Sequence, residues 1–178
     1  SVGWRRSGDG AWTPFGIEGS GLPRRVEWTL RGGEDAKLRE FLPAIARARP
    51  SASVAWALAR FEMGCGRRRD SEALSDYLLA LRALVDPSAE SGEALARRVA
   101  VLCAEESERE LVQRHVELAL ALERFVMGDT LGDDYMDALG SGSPRELIDE
   151  VERHLRALLR DILCGYLDSD LRAVSDEL

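Results

Sequence analysis

The sequence predicts an all-α protein: an up-and-down bundle of four core helices with short accessory helices, preceded by a Gly/Trp-rich arm able to hold a short β-hairpin. Three observations carry this. Apolar residues recur at helical spacing in long segments, most clearly Ser107–Met127 and Ser143–Leu167. Turn residues crowd into residues 1–33, which hold eight of the 16 glycines along with Trp4, Trp12 and Trp28. Hydrophobic residues make up 45% and charged residues 31% of the 178-residue chain, a balance that supports one domain with a substantial core. The expected division is an arm over residues 1–33 and a bundle over 34–178, with its core at 51–167.

In the arm, extended pieces are expected at Gly10–Ile17 and at Arg25–Leu30, where Val26, Trp28 and Leu30 alternate with polar residues. Its aromatics are expected to pack on the helical body. Glu34–Arg47 reads as a helix through Leu38, Phe41, Leu42 and Ile45, with Pro43 expected to kink or split it. Ser51–Cys65 is the next helix, capped by Ser51 or Ser53, with Val54, Leu58, Phe61 and Cys65 on one face. Trp56, Ala59 and Met63 fall on the opposite face. A helix apolar on two sides is sandwiched, so the arm or a second subunit is expected to cover Trp56 and Met63.

Asp70–Val85 is strongly amphipathic, with Leu74, Tyr77, Leu78, Leu81, Leu84 and Val85 inward and Asp86-Pro87 as its stop. Glu93–Ala104 is a short helix. In Ser107–Met127, the Ser107/Glu110 spacing suggests a capping box, and the stripe is Leu111, His115, Leu118, Ala119, Leu122, Phe125 and Val126. Thr130–Gly142 reads as a loop with one turn near Asp134–Leu139. Ser143-Pro144 opens the last main helix, whose stripe runs from Ile148 through Val151, Leu155, Leu158, Leu159 and Ile162 to Tyr166. Asp168–Leu178 reads as a short, fraying helix.

The formal net charge of -8 repels phosphate, which disfavours a general nucleic-acid binder. Lys37 is the only lysine, a usage that suggests coding from a high-GC bacterial genome. Cys65, Cys103 and Cys164 form no CxxC pair, so free, buried thiols in a cytoplasmic protein are expected. No apolar run is long enough to cross a membrane, and no signal peptide is visible. The start at Ser1 without Met reads as a processed product or a piece of a longer protein.

Chemistry-bearing residues are few. His115 lies in an apolar stripe and His154 flanks another, and a satisfied structural histidine is the expectation for both. No Ser/His/Asp or Cys/His constellation and no phosphate-cradling loop can be placed. A di-iron carboxylate bundle needs Glu-x-x-His pairs, yet Val112 and Val151 stand three residues before the histidines. No metal or other cofactor is expected.

From Asp70 to Met127 the chain resembles the HEPN superfamily, in particular its Apea-like branch. The likeness lies in Tyr77–Leu84, in Ala96–Cys103, in Glu105-Glu106-Ser107-Glu108-Arg109 and in Leu120–Gly128, and it extends in helix order over about Ser51–Leu167. It implies a helical bundle, often dimeric, that serves as a toxin or defence ribonuclease or, where catalysis is lost, as a binding module. Active members carry an arginine, a gap of about four to six residues and a histidine, often before glycine. Those places fall here at Leu122 or Glu123 and at Met127, before Gly128. The glutamate common on the second helix falls at Arg82. Metal-independent RNA cleavage needs an acid or base and a cation, and the first is missing.

The swapped charges suggest a salt bridge between Arg82 and Glu123 that keeps a structural pair without the chemistry. Three functional readings follow. The first is a non-catalytic HEPN-like module for protein interaction or regulation, in a defence or toxin–antitoxin setting, with a homodimer expected. The second is a metal-independent ribonuclease using Arg124 with His115 or His154. The third is a small-ligand sensor with its pocket between the tryptophan arm and the bundle.

Overall fold

The computed structural model describes residues 2–6, 12–16, 31–85, 91–129, 137 and 143–178. The first two stretches are strands β1 (Val2–Arg6) and β2 (Trp12–Gly16), paired antiparallel with Trp4 opposite Pro14. The Arg25–Leu30 piece and the Thr130–Gly142 turn lie outside the described residues, apart from Asp137. Seven α-helices among the described residues pack as a bundle: α1 (Glu34–Arg47), α2 (Ala52–Gly66), α3 (Asp70–Val85), α4 (Gly92–Cys103), α5 (Arg109–Val126), α6 (Pro144–Leu163) and α7 (Leu171–Glu177).

Helix α3 is the axis of the core. Its whole expected stripe is buried, and it packs against α2, α4, α5, α6 and α7. The α2–α3 hairpin has the most extensive contact, and Gly64 is its closest point. Gly64 is a buried helical residue, and a Cβ there would stand 2.3 Å from Tyr77 Cε1.

Ser51 and Ser143 cap α2 and α6 as their positions suggest, each hydroxyl accepting from the backbone N–H three residues on. Pro43 does not split α1, which runs through it one ladder hydrogen bond short. Ser107 caps nothing: Glu106–Glu108 form a 3-10 turn, and α5 starts only at Arg109. The short α4 is no accessory, since Leu95, Ala96, Arg98, Val99 and Ala100 are all buried and it packs along α5.

Helix α5 is rotated from its expected face. Val112, Val116, Ala119 and Leu120 point into the core, whereas Leu111 is 57% and Val126 52% exposed. The apolar residues of α5 cover more of the circumference than α3, α4 and α6 can screen, and those neighbours settle on the valine side. Tyr166 is likewise outside the core, at 75% exposure. Gly165 turns left-handed at φ 75° and ends α6 before it, while Tyr166 N–H donates to Asp161 O. Helix α7 is docked by fully buried Leu171 and capped by Asp170.

Candidate functional site

The sequence-predicted residues divide among three places. At the far end of α3, Arg82 Nη2 donates to Glu123 Oε2 of α5 at 3.0 Å. The Glu123 side chain is only 10% exposed, against 36% for Arg82. A groove beside this pair is lined by Arg82, Gly92, Glu93, Glu117, Leu120 and Arg124. Its two arginines face three nearby carboxylates once Glu123 is counted, so the groove carries no net attraction for phosphate.

The histidines are elsewhere. Arg124 lies nine residues beyond His115, about 13 Å along α5 and half a turn around it. An active site of Arg124 with His115 is therefore not assembled within one chain. His115 instead meets Glu150 of α6, with Nδ1 2.7 Å from Oε2. His154, one turn beyond Glu150, places Nε2 3.5 Å from Oε1. At neither contact does the N–H line up with the oxygen, so both nitrogens lack an in-line hydrogen bond. Burial holds His154 below the ordinary imidazole range, and Glu150 opposes that effect. Neither this trio nor any other His, Cys, Asp or Glu group among the described residues is arranged to hold a metal ion.

The third place is the outer side of α2. Trp56 and Met63 are 42% and 45% exposed, and the Arg60 guanidinium lies 4.9 Å over the Trp56 ring. The same arginine reaches inward to Asp76 at 3.1 Å, where Arg67 Nε also donates at 2.7 Å. Sequence reading missed Asp76, a buried carboxylate on the core helix. It gave no signal in the sequence, since at about 100° per residue it falls opposite the Leu74–Val85 stripe, on the face that reads as solvated.

None of the three cysteines is in a disulfide, and all are half-buried rather than buried. Cys103 is the most shielded chemically: burial, helped by Asp161, pushes its thiol up to about 12. A cleft of about 640 Å³ runs between α1 and the end of α6, lined by Leu38, Phe41, Arg47, Arg160, Cys164 and Tyr166 among others. No helix among the described residues is long and apolar enough to cross a membrane.

No family model, curated protein or solved structure matches the chain. Its function therefore has to be argued from the geometry above.

Proposed function

We propose that the chain is a non-catalytic, HEPN-like helical module of the cytoplasm that works by binding protein, with a second copy of itself as the first partner to test. A regulatory role in a bacterial defence or toxin–antitoxin setting fits this reading. One observation carries it. The places where a HEPN nuclease keeps its reactive residues hold Leu122, Glu123 and Met127, and Glu123 is tied to Arg82 in a structural pair. The two histidines lie against Glu150, and His115 stands about 13 Å along α5 from Arg124. Exposed apolar residues support association: Phe125, Val126 and Met127 at the end of α5, and Trp56 and Met63 on α2.

The test is an RNA cleavage assay beside sedimentation velocity. The wild type and Arg124→Ala are expected to show the same background cleavage, with the wild type sedimenting as a dimer or with its partner. Cleavage that Arg124→Ala abolishes would restore the ribonuclease reading.

The cleft between α1 and α6 favours one second reading, a small-ligand sensor. Its wall combines Phe41 and Tyr166 with Lys37, Arg47 and Arg160, three cations against the carboxylates of Glu34 and Glu40, which suits an aromatic acid. Quenching of tyrosine and tryptophan emission by a panel of aromatic acids, lost in Tyr166→Ala, is the expected result for that role. A flat panel counts against it.

A further inference from the structure

Two imidazoles from different helices address one carboxylate at the α5–α6 seam. Glu150 is 18% exposed and His154 11%, while His115 reaches the surface at 32%. Several other charged groups around α6 have partners elsewhere. On α3, Asp70 faces Arg145, Asp76 holds Arg60 and Arg67, and Arg82 holds Glu123. On α2, Phe61 sits under Arg156, and on α4 Arg98 faces Asp176. On α5, Arg114 turns to Glu117. The groups that act on His154 are thus Glu150 and Arg153 of its own helix and His115 across the seam.

We propose that His115, Glu150 and His154 form a proton-sensitive latch between α5 and α6, closed while His154 is neutral and opened when a second proton enters the cluster. One proton converts the trio to an imidazolium–carboxylate pair, which α5 and α6 share favourably. A second leaves two cations on one anion, with one cation inside the seam, where an uncompensated charge is costly. Burial keeps folded His154 below its ordinary value, so the unfolded or opened seam takes the proton first. Stability from this group is complete above a pH of about 6.5 and is lost as the pH falls through the folded value. The latch is independent of the association reading and acts whichever partner binds.

Hydrogen exchange of the full chain tests it, with rates corrected for the intrinsic effect of pH. On going from a pH of about 7.5 to about 5, amides of α5 and α6 flanking the cluster are expected to lose about tenfold in protection for each pKa unit separating closed from open His154, with the α2–α3 hairpin unchanged. His154→Gln is expected to abolish the loss. Glu150→Gln removes the group that favours the protonated ring in the closed seam, so the onset stays in place while the loss deepens and continues to lower pH. An equal loss in wild type and His154→Gln overturns the latch. Imidazole titration by NMR on the wild type decides the matter should the variants not fold: His154 titrating at or above its ordinary value, independently of His115, also overturns it.

Discussion

Replacing Gly64 with alanine is expected to destabilise the protein, although alanine is the better helix former. In an open helix the change would gain about 1 kcal/mol. Here the new Cβ would stand 2.3, 2.7 and 3.0 Å from Cε1, Cδ1 and Cζ of Tyr77. Tyr77 is wholly buried, so the ring has no solvent to retreat into, and α2 must move off α3. Overpacking of this kind costs about 1–3 kcal/mol, which offsets the propensity gain and leaves a net loss of up to about 2 kcal/mol. Urea unfolding reads the change directly as a lower midpoint at constant m. Gly66→Ala is the control, because nothing lies within 4 Å of its Cβ position, and its midpoint should hold or rise. Tyr77→Leu costs stability alone but makes room, so Gly64→Ala should cost less in that background. A Gly64→Ala protein as stable as Gly66→Ala would refute the claim that contact with Tyr77 selects glycine here.

Arg82→Ala and Glu123→Ala, combined in a double-mutant cycle, should show a coupling of about 1 kcal/mol, since the arginine is partly in water. A coupling near zero by urea unfolding would remove the structural role given to the pair. Arg60→Ala with Arg67→Ala should destabilise by about 3–5 kcal/mol, because it strands the 3%-exposed Asp76 without a cation. Asp76→Asn should cost less than that double change, since both arginines can turn to water. Cys103 should react slowly with a thiol reagent at a pH of about 8, its thiol being held protonated with a pKa of about 12, and quickly once urea unfolds the chain.

Much of the fold was legible because the large apolar residues of α3 and α6 keep to a single stripe on each helix. For Leu74, Tyr77, Leu81, Val151, Leu155 and Leu158, period and burial agree. The reading slipped where that condition fails. On α5 both Leu111 and Val112 begin acceptable stripes, and periodicity cannot say which one the neighbours will cover. The cap at Ser107 failed for a different reason. The chain winds Ser107 into a 3-10 turn, so Glu108 and not Ser107 stands at the N-cap when the α-helix begins at Arg109. The Gly64 contact was illegible, since a glycine near a helix end looks like a stop until its neighbour across the hairpin is known.

The candidate site was legible in its parts but not in its grouping. Arg82 and Glu123 were paired from a charge swap set against the resemblance, and the structure puts them 3.0 Å apart. The histidines were weighed singly, because nothing in the spacing links His115 to His154. Glu150 joins them only after α5 and α6 are laid side by side, and its position one turn before His154 was the available clue. This separation of charges bears on function. A ribonuclease would gather its cation and imidazole at one groove, whereas here Arg82 and His115 each lie against a carboxylate of an adjoining helix. Arg82 joins α3 to α5, His115 joins α5 to α6, and Arg60 joins α2 to α3. The exposed apolar side chains at the end of α5 and on α2 are the ones that the proposed protein contact would use.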